Sequence, residues 1–176
     1  MTRIVECIPN ISEGRDLDLV WAIADRIAKV KGVKVLDIDP GFDANRTVIT
    51  FVGTPDAVSK ASFITVKEAS ELIDMRTHRG EHPRIGACDV LPFVPISGIS
   101  MEETVALSRR VAKRIGTELD IPVYCYENSA FSALKCDLAS CRAGEYEGLE
   151  DKLNNPIWKP DYGPDKFNAK SGATVV

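Results

Sequence analysis

The sequence predicts an α+β fold: a ferredoxin-like βαββαβ core extended by a further helix and strand. Patterns of period 2 and of period 3.6 follow one another in the order strand, helix, strand, strand, helix, strand. A polar turn separates the second and third strands, which indicates antiparallel neighbours. The chain has 176 residues, and folding at that length buries about 70% of the unfolded surface, so a core forms without disulfides or metals.

The first strand, the first helix and a hairpin come from the first third of the chain. The run RIVECIP (3–9) is rich in β-formers, and residues 17–30 repeat apolar side chains at spacings of three and four. These patterns predict a strand followed by an amphipathic helix. Residues 33–39 and 46–52 are rich in β-branched side chains, and the turn-forming residues 40–45 connect them.

The second helix and the fourth strand complete the core. Thr54 followed by Pro55 is a helix N-cap with proline at the first helical position. Residues 87–96 (ACDVLPFVPI) form a fourth strand pattern, and their two prolines predict an edge or a bend.

A further helix and strand follow the core. Ser100 and Glu103 form a capping-box pattern that opens another helix, and residues 121–126 (IPVYCY) predict a fifth strand.

The domain organisation predicted is an α+β domain over residues 1–153 and an extended tail over residues 154–176. The tail is dense in proline and glycine and ends on the strand pattern ATVV (173–176). Two interpretations stay open. The last residues form a C-terminal edge strand, whose unpaired edge would favour association, or the chain ends where a second domain would begin.

Charge and hydropathy exclude several classes of protein. The formal net charge is −4 and the pI is about 5.3, whereas a general nucleic-acid binder carries a basic surface. No apolar run approaches the roughly 20 residues that cross a bilayer, and the N-terminus lacks a secretory signal. These features predict a cytoplasmic protein without nucleic-acid or membrane partners. Five cysteines without a C-x-x-C pair predict buried thiols in a reducing compartment and no zinc framework.

The densest chemistry lies in residues 76–84 (RTHRGEHPR), here named the histidine loop. It contains both histidines of the chain, three arginines and a glutamate. Arginine is suited to carboxylates, and histidine to proton transfer near neutral pH. The combination predicts an anionic substrate held beside a general acid or base, against the alternative of a solvated loop. The residues themselves do not choose between His78 and His82.

Other interpretations are weaker. Residues 78–82 also fit the H-x-x-E-H zinc pattern, although Gly80 and Pro83 oppose the helix that it requires. Asp39 ends the second strand, where it forms a turn or hydrogen-bonds a histidine or a substrate cation. Arg46 is either an anion contact or a surface residue. The turn at residues 9–14 either presents backbone N–H groups to an anion or simply caps a helix.

Several blocks of the sequence resemble the glutamate formimidoyltransferase (formiminotransferase) family. The resemblance runs in order from residue 4 to residue 176, and blocks in series are more specific than one motif. The blocks are VECIPNISEGR (5–15), NRTVITFVG (45–53), IDMR (73–76), HRGEHPRIGA (78–87) and RAGEYE (142–147).

The resemblance implies transfer of a formimino group between N-formimino-L-glutamate and tetrahydrofolate, in histidine degradation. Tetrahydrofolate would be a co-substrate, and no metal is implied. In the family, the residue that matches His82 is the catalytic acid or base, and the one that matches Asp39 assists it. Both substrates carry carboxylates, so the candidate anion contacts are Arg46, Arg76, Arg79 and Arg84.

The chain departs from the family in two respects. The family's catalytic unit is about twice as long, with folate between its two halves, so this chain resembles the N-terminal half. Gly163, Pro164 and Phe167 match a folate-contacting segment, but the neighbouring residues 169–172 differ, so their role is left unassigned. The chain is therefore expected to act with a separate C-terminal half, to form a homodimer, or to be a non-catalytic anion- or folate-binding module.

Overall fold

The computed structural model describes residues 2–176 of the protein. Short 3₁₀ turns occur at Glu127–Ser129, Ala133–Lys135 and Pro156–Trp158. The helices in that range are α1 (Leu17–Ala28), α2 (Pro55–Leu72), α3 (Met101–Glu118), α4 (Leu138–Arg142) and α5 (Leu149–Asn154). The strands are β1 (Ile4–Cys7), β2 (Asn10–Ile11), β3 (Val33–Gly41), β4 (Arg46–Gly53), β5 (Cys88–Val90), β6 (Phe93–Ser97), β7 (Val123–Tyr124) and β8 (Thr174–Val175).

The strands form one curled, mainly antiparallel sheet, and the fold is α+β as predicted. Strand β4 pairs with β3 on one side and with β1 and β2 on the other. Strand β6 pairs with β1, and β5 pairs with β2. Strand β8 then joins β5 to β7 through parallel pairings. The predicted hairpin is therefore β3 and β4, the first strand pattern forms β1, and the fourth is divided into the short strands β5 and β6.

Helices α1, α2 and α3 pack on one face of this sheet, and α4 and α5 pack against β7 and β8 in a second core. Along β4, Thr47, Ile49 and Phe51 are buried, while the alternate residues are half-buried. Ile49 and Phe51 share a core with Ile23 of α1 and Val58 of α2. Because successive side chains of a strand point to opposite faces, Arg46 and Val48 lie on the face away from this core, here named the open face.

The predicted helix starts are confirmed by their capping bonds. Thr54 Oγ1 accepts a hydrogen bond from the Ala57 N–H, and Pro55 occupies the first position of α2. At α3, Ser100 and Glu103 each accept a bond from the other's backbone N–H, at 3.2 and 2.9 Å. Such caps satisfy amide groups that the first helical turn leaves without partners.

Two predicted segments differ in detail. Residues 9–14 are not simply a turn, because Asn10–Ile11 pairs with both β4 and β5 and Ile11 is fully buried. Helix α1 is instead capped by Asp16, which accepts a hydrogen bond from the Leu19 N–H. The fourth strand pattern bends at Pro92, as its prolines predicted, and separates into β5 and β6.

The C-terminal edge-strand prediction is wrong. Strand β8 lies inside the sheet between β5 and β7, and both Val175 and Val176 are buried. Glycine at position 86 lets the C-terminal segment approach β5, since a Cβ there would overlap the carbonyl oxygen of Ala173. No exposed edge is therefore present at Val175 and Val176. The domain boundary after residue 153 stays a prediction.

The cysteines behave mostly as predicted. Cys7, Cys88, Cys125 and Cys141 are buried free thiols, whereas Cys136 is exposed. Burial raises the pKa of Cys125 to about 12 and that of Cys141 to about 11. These thiols are therefore protonated and unreactive near neutral pH. Within residues 2–176, no helix has the length and apolar character needed to cross a membrane.

Candidate active site

The histidine loop packs against the turn between β3 and β4. Asn45, in that turn, donates a hydrogen bond to the Arg79 carbonyl at 3.0 Å and accepts one from the Gly14 N–H at 3.0 Å. Gly80 lies so close to the turn that a Cβ would overlap the Ala44 carbonyl oxygen. The Asn45 side chain therefore joins three segments that are distant in sequence, and it holds the histidine loop next to the first residue of β4.

His78 has both ring nitrogens engaged inside the protein. Its Nε2 lies 2.8 Å from the Asn45 carbonyl oxygen, and its Nδ1 accepts a hydrogen bond from Arg84 Nε at 3.2 Å. A carbonyl can only accept, so Nε2 carries the proton and the ring is neutral. Burial is the main cause that lowers the pKa of His78. His78 is thus a structural residue without a free basic nitrogen.

His82 is half-buried and leaves one ring nitrogen available. Its Nδ1 lies 2.7 Å from the Pro83 carbonyl oxygen and 3.2 Å from Nη1 of Arg46. The shorter contact requires a proton on Nδ1, since the carbonyl can only accept. Nε2 forms no hydrogen bond with residues 2–176 and therefore presents a lone pair outside the protein's own bonding. Among residues 2–176, His82 thus has a ring nitrogen without a protein partner, whereas His78 does not.

Arg46 and Asp89 form a buried ion pair next to His82. Nη1 of Arg46 donates to Oδ2 of Asp89 at 2.7 Å, and its Nε donates to the Asn10 side-chain oxygen at 3.0 Å. The Asp89 side chain is 0% exposed. Its other oxygen accepts a hydrogen bond from the Ile85 N–H at 2.8 Å. The ion pair therefore links β2, β4 and β5 to the end of the histidine loop.

Arg142, at the end of α4, brings a second guanidinium to the same carboxylate. Its Nη1 lies 3.2 Å from Oδ2 of Asp89 and 3.4 Å from the Pro83 carbonyl oxygen. Two arginines share one aspartate, so the ion pairs beside His82 carry one net positive charge. Such an environment suits a carboxylate ligand.

Arg84 is bound to carboxylates of the protein. It is buried, forms a bidentate pair with Glu147 at 2.8 and 2.7 Å, and donates to Glu145 at 3.0 Å. These bonds lower the pKa of Glu147 to about 2. Arg84 therefore anchors the histidine loop to residues 145–147.

The other two predicted arginines lie at the surface. Arg76 pairs with Asp74, whose pKa this pairing lowers to about 2. Arg79 is exposed and donates one bond to the His78 carbonyl oxygen at 2.6 Å. It is the predicted arginine without a carboxylate partner among residues 2–176. Arg79 also lines, with Arg84, a polar depression next to Glu145 and Glu147.

Asp39 lies on the open face but is not bonded to His82 within the described part of the chain. In register, Asp39 faces Val48 of β4, and Val48 faces Asn10 of β2. Directly paired residues point to the same face. Asp39 therefore shares the open face with Asn10 and Arg46, about 10 Å across two strand spacings from Asn10.

The sequence prediction missed three polar residues of this site. The sequence pattern predicts a turn at Asn10 and a strand-like apolar run at Asp89, and it assigns no role to Arg142. A signal existed for two of them. Asp89 is a charged residue between buried apolar neighbours, and a buried carboxylate needs a partner. Arg142 opens the last block of the family resemblance.

The zinc interpretation of H-x-x-E-H lacks its structural basis here. Residues 78–82 form a loop and not a helix, and both nitrogens of His78 are used by protein groups. No group of three His, Cys, Asp or Glu side chains in residues 2–176 has an arrangement that could hold a metal ion. The histidine pair therefore does not form a zincin-type site.

Comparison with known proteins identifies the family of this chain. The family model described as formiminotransferase domain, N-terminal subdomain, matches residues 4–176. The chain belongs to this family.

Three relatives of this formiminotransferase subdomain show how much of a longer protein it matches. A formimidoyltransferase-cyclodeaminase of Dictyostelium discoideum is 48% identical over the whole of this chain, which covers 33% of that protein. Glutamate formimidoyltransferases of Streptococcus pyogenes and Thermoplasma acidophilum are 45% and 47% identical, with 59% and 57% of their lengths covered. The chain thus spans between about a third and three fifths of these relatives.

Proposed function

We propose that the protein takes part in folate-dependent one-carbon transfer, moving a formimino group between N-formimino-L-glutamate and tetrahydrofolate. The observation that carries the proposal is His82, with a free Nε2 beside two arginines that share one aspartate. The names of the relatives point to the same chemistry. The subdomain would contribute acid–base catalysis to this transfer, which is one reaction of histidine degradation.

The proposed step needs one group that both accepts and returns a proton. The tetrahydrofolate amine attacks the formimino carbon and forms a C–N bond, and Nε2 of His82 takes the proton that this nitrogen loses. The same proton then passes to the glutamate nitrogen as its bond to the carbon breaks. General acid–base catalysis of this kind contributes about 10²- to 10⁴-fold in rate.

The arginines divide into two groups in this proposal. Arg46 and Arg79, with Arg142, supply positive charge toward a substrate carboxylate. Arg76 and Arg84 hold carboxylates of the protein itself, so we propose that they shape the loop. Asp39 would assist from the open face once substrate lies between it and His82.

A second candidate function is a non-catalytic anion- or folate-binding module. It is favoured by the positive charge that Arg46 and Arg142 place around the single carboxylate of Asp89, which suits a carboxylate ligand with or without turnover. We propose that turnover, if it occurs, uses a C-terminal half or a second copy of this chain. The mass of the protein in solution distinguishes a C-terminal half from a second copy of this chain, because a strict monomer excludes the homodimer.

The decisive experiment compares two histidine variants. Formiminoglutamate-dependent formation of 5-formimidoyl-tetrahydrofolate is measured with the chain alone and with a candidate C-terminal half added. His82→Ala is expected to stay folded and to lose at least about 10²-fold of the rate.

The matched control is His78→Gln, which is expected to lose stability but to keep transferase activity when folded. Full activity of His82→Ala would refute the assignment. Folate binding without product, in every combination, would leave only the binding module.

Two finer points complete the proposal. We propose that β1 to β6 with α1 and α2 form a ferredoxin-like unit. The antiparallel order of the four strand patterns, fourth, first, third and second, supports it. We also propose a cytoplasmic location, which the reduced cysteines support.

A further inference from the structure

Asp89 is a buried carboxylate whose two oxygens contact three parts of the site. Oδ1 accepts a hydrogen bond from the Ile85 N–H at 2.8 Å. Oδ2 accepts from Arg46 at 2.7 Å and from Arg142 at 3.2 Å. An ionised carboxylate with no exposed surface is costly unless it is paired, so its bonds fix the positions of both guanidiniums.

His82 Nδ1 has two neighbours that demand opposite protonation. The Pro83 carbonyl oxygen, at 2.7 Å, requires a proton on Nδ1. The guanidinium of Arg46, at 3.2 Å, can only donate and would require a lone pair on Nδ1. The Nδ1–H tautomer donates to the Pro83 carbonyl oxygen. The Nε2–H tautomer instead accepts a hydrogen bond from Arg46.

We propose that Asp89 is a positioning residue that keeps His82 in the Nδ1–H tautomer. It does so by binding one N–H of Nη1 of Arg46 at 2.7 Å, which holds the guanidinium so that its contact with the ring, at 3.2 Å, is longer than the 2.7 Å contact of the ring with the Pro83 oxygen. It also holds the backbone two residues after Pro83, through the Ile85 N–H, and so fixes the carbonyl that accepts the ring proton. Without the carboxylate, Arg46 turns to Nδ1 and the ring proton moves to Nε2.

The consequence for catalysis rests on the proposed function. Only the Nδ1–H tautomer leaves a lone pair on Nε2 of His82. This nitrogen forms no hydrogen bond with residues 2–176. A ring with its proton on Nε2 cannot accept the proton of the attacking amine. Asp89 thus acts on the reaction through Arg46 and the His82 ring, without touching substrate.

The tautomers are directly measurable because the chain contains two histidines. Long-range ¹H–¹⁵N spectra of the full chain therefore show two imidazole rings. The spectra are recorded at a pH of about 8.5, because a free imidazole, whose pKa is about 6.5, is neutral there. The native protein is expected to show His78 as Nε2–H and His82 as Nδ1–H. In Asp89→Asn, His82 is expected to change to Nε2–H, whereas His78 stays unchanged.

Asp161→Asn is the matched control. The Asp161 side chain is only 7% exposed, accepts one hydrogen bond from the Cys125 N–H at 2.8 Å, and pairs with Lys135 at 2.7 Å. It shares no bond with the His82 network among the described residues. Asp161→Asn is expected to lower stability while leaving both tautomers unchanged.

A double variant tests the route through Arg46. Asp89→Asn combined with Arg46→Met removes the competing donor, so His82 is expected to return to Nδ1–H. An Asp89→Asn protein whose His82 stays Nδ1–H, or a double variant that does not return to it, overturns the proposal. If Asp89→Asn does not fold, the tautomer of His82 is measured in the native protein and in Asp89→Glu. An Nε2–H tautomer of His82 in either protein refutes the positioning role of Asp89.

The tautomer measurement requires no substrate, so its result is independent of the proposed function. In the transferase assay, Asp89→Asn is expected to lower kcat about 10²-fold, and Asp161→Asn to leave it unchanged. If His82→Ala retains transferase activity, the proposed function fails while the tautomer result stands. If the tautomer does not change in Asp89→Asn, the positioning role fails whatever the assay shows.

Discussion

The two histidines have the same chemistry and differ only in their surroundings. His78 is buried, and each of its ring nitrogens has a partner at a fixed distance. His82 is half-buried and has one nitrogen left over. Burial disfavours the charged imidazolium, which lowers the pKa of His78. Because folding lowers the pKa of His78, the free energy of unfolding depends on pH.

We expect His78 to destabilise the fold at acidic pH. Its pKa is lower in the folded than in the unfolded chain, where it is about 6.5, so the unfolded state binds more protons between the two values. The contribution of His78 is therefore complete above pH of about 6.5 and is lost as the pH falls through the folded value. The measurement is the free energy of unfolding between pH 8 and pH 5, by urea titration.

The control for this pH effect is His78→Gln, which keeps a side-chain donor for the Asn45 carbonyl but does not titrate. The variant should lose part of the decline in stability that the native protein shows below pH 6.5. An identical decline in both proteins would mean that other groups cause it.

The elements of secondary structure meet at places where only glycine fits. Gly86 precedes β5, and a Cβ at this position would overlap the Ala173 carbonyl oxygen and lie 2.7 Å from the Ser171 carbonyl oxygen. Backbone hydrogen bonds cross the same contact, from the Ala87 N–H to Ser171 and from the Ala173 N–H to Ile85. The segment before β8 thus packs directly on the backbone that leads into β5.

We predict that Gly86→Ala destabilises the protein by about 1 to 3 kcal/mol, the range found for overpacked interiors. The added methyl group must push residues 171–173 away from β5. The measurement is the urea unfolding midpoint, with Gly41→Ala as the control. At Gly41 the nearest atom to an added Cβ is 3.4 Å away, so little loss is expected. Equal stability of the two variants would contradict the prediction.

Most of these elements were predictable because their signals are local. The capping residues Thr54 and Ser100 and the apolar spacing of α1 to α3 stand in the sequence itself. Strand β2 was not predictable, since two residues carry no periodicity and Asn10–Ile11 is a strand only because β4 and β5 lie on either side of it. The short strands β7 and β8 depend on each other in the same way.

Across the complete molecule, the C-terminal segment joins the two parts of the sheet. Strand β8 is the strand through which β7 reaches β5. Val175 lies in register with Val90 on one side and Tyr124 on the other. The Tyr124 hydroxyl also donates to the Trp158 carbonyl oxygen at 2.8 Å. Residues 154–176 therefore contribute to the core of the domain that precedes them.

A chain shortened to residues 1–153 is expected to be less stable by several kcal/mol. The loss of Val175 and Val176 alone removes two buried side chains, each worth about 1.5 to 3 kcal/mol. Removal also leaves β5 and β7 without their shared partner strand. Thermal unfolding should show a transition lower by about 10 °C or more. A shortened chain with an unchanged transition would show that residues 1–153 form a self-sufficient domain.

The sequence determined the α+β class, the three long helices, the hairpin and the loop that contains both histidines. These follow from periodicity, capping residues and composition, which act over a few neighbouring residues. Tertiary structure decided which histidine is free, which arginines are already paired, and that Asp89 and Arg142 belong to the site. Hydrogen-bond partners such as Arg46 and Asp89 are 43 positions apart, and neither local pattern nor composition specifies which distant groups folding brings together.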